Sequence, residues 1–567
     1  MKLALAEYLS ILKEEGELDS LICDLLYFMD IRVPIKPKKG SRQYGVDILA
    51  VGKDPEDNFK QKLFIITVKQ GDLNRTTWSQ ALTGVRASLD DIHNVFIETH
   101  LSPLQKALPK KIVVAFNGEF HQSIALDWGT YLEKHSVQDR LEFDYWDLSD
   151  LALKMNEHMV SESLFPESNR RMVSKALAFM DIPDANLEHS YKMIDMLIDG
   201  IQFKKKKNSK KQLRLLIVFQ EMLNRWSRDL DNLKLGIETS EYGLLKLWDV
   251  IRDGHFKEKY VGQAYFRLVT QFRKLCIEYV NKISPVLWTQ DGLSKNTGNS
   301  IEYSLLVWEQ IGVLSMAGLV ELHYGLLMHD GSNLKDIQVH FENSQTIGEY
   351  LVALLNNNPP SKYPMFDEHM IEISLAFLLL VQTNHKPAAE KWISDIGSGL
   401  IEQYRLTGFF PLLTSDENLL FDIQFGEAIA PLESSSLVSC VLELMAILSL
   451  EVPYDALISF LPKDFKKVDF QLWFPDSETE EQLYSKRAMN TGTAYLIEWE
   501  GRSMSETMTL IEQTSNNYDF NEFSCSQHGV FFLFIIASRH FRTYTFPELW
   551  RDQRLRGIIS KTEGRPS

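Results

Sequence analysis

The chain has little of what marks the specialised protein classes. Of its 567 residues only four are cysteines, Cys23, Cys276, Cys440 and Cys525. They lie far apart, with no CxxC pair and no Cys/His metal spacing, which argues against a disulfide framework or a zinc module and suits a reducing compartment. Long apolar runs are also missing. The most apolar stretches are Ile373–Val381, Val441–Leu450 and Val530–Ala537, each well short of the roughly 20 residues that a spanning helix needs. The N-terminal stretch MKLALAEYLSILKEEGELD reads as an amphipathic helix with acids inside it, not as a signal peptide. The expectation is a soluble, cytoplasmic protein with no membrane partner. Positive charge is short as well: 60 Lys and Arg stand against 77 Asp and Glu, a net charge of −17. Any nucleic-acid binding must therefore come from local basic patches. No GxxxxGK[ST] loop, GxGxxG fingerprint or GxSxG elbow occurs, which removes the usual marks of an NTPase, a dinucleotide enzyme and a serine hydrolase. No repeat of fixed period is present either.

What the chain does have is a change of character near residue 160. Before it, short apolar runs alternate with helical periodicity. Leu18, Leu21, Ile22, Leu25, Leu26 and Met29 form a helical stripe. IRVPIKPKKGSR follows as a strand and loop bearing Arg32, Lys36, Lys38, Lys39 and Arg42 with no acid. Two strands come next, from about Tyr44 and through KLFIITVK, and then a helix over Thr77–Asn94. Lys111–Phe116 is a continuous apolar run expected as a buried strand. Asp127–Lys134 is expected as a helix, Leu141–Trp146 as a strand, and Asp147–Met155 as a helix capped by its first Asp. The order is α-β-β-β-α-β-α-β-α, an α/β domain over residues 1–160. Residues 161–567 read as a large, irregular all-α region of one lobe or two, with a boundary near 360 in the second case. Within it KKKKNSKK, Lys204–Lys211, is an isolated basic run.

The chemistry concentrates in the two strands. Period-2 alternation sets Gly45, Asp47 and Leu49 on one face and Ile65, Thr67 and Lys69 on one face of the next strand. An aspartate within an apolar strand is costly unless it is paired or binds a cation, and a lysine ending the neighbouring strand is costly in the same way. Together they mark a candidate site.

With the basic loop before them and the element order around them, these residues resemble the PD-(D/E)XK nuclease superfamily, the restriction-endonuclease-like fold. The family motif is an Asp on one strand and an acidic-x-Lys triad on its neighbour; here it reads Asp47 and Thr67-Val68-Lys69. The resemblance covers about the first quarter of the chain and implies a mixed sheet flanked by helices. It implies a metal-dependent endonuclease that hydrolyses DNA with Mg2+ or Mn2+, since phosphodiester hydrolysis needs hard oxygen ligands and a nearby cation. Asp47 would anchor the metal and Lys69 would orient or deprotonate the attacking water. Thr67 stands where the second carboxylate is usual. Glu17, on the first helix, and Asp72, beyond the strand end, are the candidates to complete the metal shell. Lys38, Lys39, Arg42, Gln70, Arg75 and Arg86 are the expected nucleic-acid contacts. Trp78 is expected in the core, with base stacking as the alternative. A nuclease followed by a helical module also resembles bacterial antiviral defence effectors, in which the helical part regulates, oligomerises or senses and a separate ATPase or sensor protein acts as partner. RNA as substrate stays open. The contrasting expectation is a catalytically inactive nuclease fold that binds nucleic acid or serves as a scaffold.

Overall fold

The computed structural model describes residues 2–35, 44–80, 84–158, 165–182, 186–327, 334–424, 426, 433–465, 467–484, 492–515, 520–543 and 551. The chain divides into two compact units, Met1–Thr239 and Ser240–Ser567.

The first unit is built on a five-stranded mixed sheet in the order β1-β2-β3-β4-β5. Its strands are β1 (Arg32–Ile35), β2 (Ile48–Asp54), β3 (Lys60–Lys69), β4 (Lys110–Phe116) and β5 (Leu141–Trp146). The first three pair antiparallel and the last three parallel. Before the sheet come α1 (Lys2–Leu9) and α2 (Asp19–Phe28); between β3 and β4 lie α3 (Arg75–Ser79) and α4 (Val85–Asp91); α5 (Ala125–His135) joins β4 to β5, and α6 (Leu148–His158) follows. Alternation sorts the strand residues between two layers of helices. Leu49, Leu63, Ile65, Ile112, Val114 and Phe116 pack with Trp78, Val85, Leu89 and Trp128 from α3, α4 and α5. The opposite face carries Ile48, Ala50, Phe64, Ile66, Val68 and Val113, all buried, and α1, α2 and α6 pack together as the other layer. Asp147 caps α6 as its sequence predicts, accepting from the Ser149 and Asp150 N–H groups at 2.8 and 3.0 Å.

The helix expected over Thr77–Asn94 is two helices. Asn74 starts α3 with a capping box, and Gln80 is already extended, at ψ 127°. A new helix begins after Gly84, whose added Cβ would lie 2.4 Å from the Gln80 carbonyl oxygen. The break lets Trp78 and the Val85–Leu89 stripe reach the same core from different directions. After residue 160 the first unit continues with α7 (Glu167–Met180), α8 (Glu188–Asp199) and α9 (Lys206–Asp229); α10 (Leu233–Ile251) spans the division between the units.

The second unit is largely helical. Its axis is α12 (Ser300–Leu327), preceded by α11 (Lys259–Leu287) and packed by α13 (Leu334–Asn357) and α14 (Met370–Gln382). By length and composition α12 could cross a membrane, yet 78% of its most apolar window is buried inside the unit, as for a central core helix. It also carries a fully buried acid, Glu321, held by Arg273 of α11 and by His340 and Asn343 of α13. The region is not purely helical. Ser434–Ser435 (β6), Asp469–Phe474 (β7) and Thr493–Leu496 (β8) form a three-stranded sheet, with Phe470, Leu472 and Phe474 alternating inward along β7. A six-residue strand among helices is short enough for its alternation to be lost in the sequence.

Candidate active site

The site lies where the β2–β3 ladder runs out. A left-handed turn at Tyr44 (φ 48°) and Gly45 (φ 78°) brings the chain into β2. Asp47 stands one residue before the strand, not within it, and its N–H donates to the Ile66 carbonyl at 3.0 Å. Because Leu49 is opposite Ile65, continuing the register sets Asp47 opposite Thr67 on the same face, with Lys69 two residues on. The Asp47 carboxylate continues the ladder in place of backbone: Oδ2 accepts the Val68 N–H at 2.7 Å and the Thr67 hydroxyl at 3.3 Å.

An acid not singled out in the sequence completes the cluster. Glu14 Oε1 lies 3.6 Å from Lys69 Nζ, and its Oε2 accepts the Gln70 N–H at 3.1 Å. Glu17, the acid expected from this helix, is elsewhere: it accepts the Lys13 N–H at 2.9 Å and pairs with Lys211 at 2.8 Å. The cause is local. Between them Glu15 is extended (ψ 128°) and Gly16 left-handed (φ 75°), a conformation that glycine takes without Cβ strain. The chain thus turns instead of coiling, and the two acids diverge. Asp72 is likewise committed to its own loop, accepting the Glu119 N–H at 2.9 Å and lying 3.7 Å from His121.

A buried asparagine fixes the strand ends. Asn117, 3% exposed, accepts the Gly71 N–H at 2.8 Å and donates to the Leu9 and Leu12 carbonyls at 2.8 and 3.0 Å. It ties the end of α1, and so the segment that carries Glu14, to the carboxyl ends of β3 and β4. The approach there is close: a Cβ on Gly118 would fall 2.3 Å from the Gly71 carbonyl carbon. Nothing in the sequence marks Asn117 except its place directly after a buried strand, at the edge of an α/β sheet where ligands commonly bind.

Electrostatics separates these acids. Burial pushes the Asp47 carboxyl above the usual aspartate range; the Val68 N–H and the Lys69 ammonium draw it down, the Glu14 charge pushes it up, and the net result is raised. Glu17 goes the other way: burial raises it, but the bonds from Lys211 and the Lys13 N–H outweigh this and hold it low. Asp47 and Glu14 thus form a site short of positive charge, with Glu17 already satisfied.

The oxygen donors at hand are the Asp47 and Glu14 carboxylates and the Thr67 hydroxyl. That hard, all-oxygen set fits Mg2+ or Mn2+, which keep waters and need only one or two carboxylates beside substrate phosphate. Among the described residues no group of three or more His, Cys, Asp or Glu side chains is placed to hold a metal, so a tightly caged structural ion does not fit. Of the expected nucleic-acid contacts, Gln70 and Arg75 are exposed beyond the end of β3 and at the start of α3. Arg86 is exposed on α4, 4.0 Å from Asp90. Lys38, Lys39 and Arg42 fall outside the described residues. Trp78 is 3% exposed and packs edge-on against Trp128 and Tyr131, a core residue with no face open to a base. Comparisons with protein-family models, with curated proteins and with solved structures find no match for this chain.

Proposed function

We propose that the first unit is a metal-dependent nuclease that hydrolyses phosphodiester bonds of DNA as an endonuclease. The observation that carries this reading is the convergence of Asp47, Glu14 and Lys69 at the open end of β2 and β3. Asp47 and Glu14 would hold a Mg2+ or Mn2+ ion, which when bound polarises the scissile phosphate and lowers the pKa of a bound water. Lys69, one-quarter exposed, presents an ammonium that orients the attacking water and offsets the charge growing on phosphorus. Thr67, fully buried, donates to Asp47 and fixes the direction of its carboxylate. Restriction or anti-phage defence, with the second unit or a partner protein in control, is the biological setting proposed for this activity.

A second reading has an observation of its own: a hydroxyl stands in place of the second carboxylate, and Asp47 already serves the backbone. In that reading the unit binds nucleic acid or another protein without cutting. One experiment separates the two. The full chain, Asp47→Asn and Lys69→Ala are incubated with supercoiled DNA, linear DNA and RNA, in Mg2+, Mn2+ or EDTA. Cleavage that needs the metal and is lost in both variants supports the nuclease. Cleavage that survives both, or is absent in every condition, overturns it, and the RNA arm identifies the substrate.

A further inference from the structure

One buried amide bridges three backbone groups beside the site. Asn117 directly follows β4 and is 3% exposed. Its oxygen accepts the Gly71 N–H at 2.8 Å, and its nitrogen donates to the Leu9 and Leu12 carbonyls at 2.8 and 3.0 Å. Leu9 ends α1, where the last carbonyls of a helix lack partners within it, and Asn117 supplies a donor to two carbonyls of buried residues. The side-chain type follows from this double demand. An ionised aspartate would set acceptor oxygens against two carbonyls, a serine has one donor, and a leucine of similar shape has none.

The place of these bonds bears on the site. Leu12 is two residues before Glu14 and Gly71 is two residues after Lys69, so each bonded residue lies within about 7 Å along the chain of a member of the cluster. Across the gap that the amide spans, Glu14 Oε1 is 3.6 Å from Lys69 Nζ. Glu14 itself stands on an irregular segment: Lys13 and Glu15 are extended, at ψ 152° and 128°, and Gly16 is left-handed. No regular helix or strand aims its carboxylate, so its direction depends on the ties at either end of the segment. By contrast α1 packs against α6 and α9. Loss of the amide therefore releases the loop that bears Glu14 more than it releases the helix before it.

We infer that Asn117 is a positioning residue of the site: it holds the Glu14 carboxylate in place beside Asp47 and Lys69, and so sets the affinity of the two carboxylates for a divalent cation. The inference rests on the assignment of Asp47 and Glu14 as metal ligands in the nuclease reading above. Asn117 touches neither ion nor substrate and acts through Glu14 alone. Partners that orient metal ligands from outside the first layer commonly contribute about 10–100-fold to metal affinity, and an amide that holds the backbone of a ligand-bearing loop belongs at the lower end of that range.

The test is a double-mutant cycle read by Mn2+ binding to the full chain, followed by electron paramagnetic resonance with no nucleic acid present. Asn117→Ala should bind Mn2+ about tenfold more weakly than the wild type. Glu14→Gln should weaken binding at least as much, and the double variant should match Glu14→Gln to within about twofold, because the amide has nothing left to position. Losses that add in the double variant mean that Asn117 supports the fold independently of Glu14 and overturn the inference. So does Asn117→Ala that binds Mn2+ as the wild type does. Circular dichroism establishes that each variant is folded, and Asn117→Ser, which keeps one donor, takes the place of Asn117→Ala in the cycle if the alanine variant unfolds. A wild type that binds Mn2+ no more tightly than Asp47→Asn overturns this inference together with the metal assignment. A wild type that gives the expected cycle yet cuts no nucleic acid supports the positioning role and sinks the nuclease reading alone.

Discussion

The two ends of the β2–β3 hairpin carry the same residue types and treat them in opposite ways. At the turn end Asp54, 1% exposed, is in contact with Lys62 at 3.0 Å and Lys111 at 3.2 Å. Those lysines also reach Asp57, Glu142, Glu56 and Asp144. Burial would raise the Asp54 carboxyl, but the two ammonium groups outweigh it and hold it low; both lysines are raised despite burial. At the open end Asp47 is raised, and its nearest carboxylate neighbour adds to that shift. Charges that serve the fold are closed into a network in which each favours the ionised state of the others. Charges available for chemistry are left incompletely balanced, which is where perturbed carboxyl groups tend to mark function.

That contrast can be tested first at the closed end, where the effect should be largest. Asp54→Ala leaves Lys62 and Lys111 buried without their shared partner and should cost about 3–5 kcal/mol, the range for breaking a buried ion pair. Urea denaturation followed by circular dichroism measures it. A loss below about 1 kcal/mol would show that the surrounding acids make Asp54 redundant.

The next largest effect should fall at the open end, on activity and not on stability. Glu14→Gln should lower metal-dependent cleavage about a hundredfold, as for loss of one charged group in a preorganised site, while Glu17→Gln should leave cleavage near wild type. The reverse pattern would return the role to Glu17 and contradict the turn at Gly16.

Asp47 separates its structural and electrostatic roles. Asp47→Ala removes the acceptor of the buried Val68 N–H and should cost about 1–3 kcal/mol. Asp47→Asn keeps an oxygen there. Since the folded protein raises the Asp47 pKa, ionising this group opposes folding. The Asn variant should therefore be at least as stable as the wild type above the raised pKa, and its advantage should vanish below about pH 4, the unfolded value. Asp54 has the opposite sign: its contribution is present above about pH 4 and is lost as pH falls through its depressed folded value. Denaturation midpoints of both Asp→Asn variants across pH 3–8 check the pair; parallel trends would erase the distinction between the two ends.

The smallest effect is expected at Thr67. Thr67→Val removes one 3.3 Å bond to Asp47 and should cost about 0.5–1.5 kcal/mol, with less than about a tenfold change in cleavage. A total loss of cleavage would make the hydroxyl a metal ligand instead of a support for Asp47.

Much of the first unit was legible because it depends on short-range pattern. The place of Asp47 one residue before β2, where its carboxylate continues the ladder, does not follow from period 2 and burial, whereas the continuous apolar run Lys111–Phe116 and the strand through Leu141–Trp146 do. The pairing of Asp47 with Thr67 and Lys69 on one face was readable for the same reason. Glu14 was not, because three acids crowd into EEGE and only the turn at Glu15–Gly16 decides which of them faces the sheet. Trp78 illustrates a choice that pattern leaves open: a helix-face tryptophan next to arginines suits a core or a base, and packing with Trp128 settled it.

The sequence by itself determined the α/β order of the first unit, the helical character of the rest, and the pair of charges at the end of two strands. These follow from periodicity and from the cost of burying charge, both of which act along the chain. The tertiary structure decided which charges are closed and which are open. It turned Glu14 toward Lys69 and Glu17 toward Lys211 of α9. Those outcomes depend on residues nearly 200 positions apart, whose attraction is felt only after the backbone has brought them together.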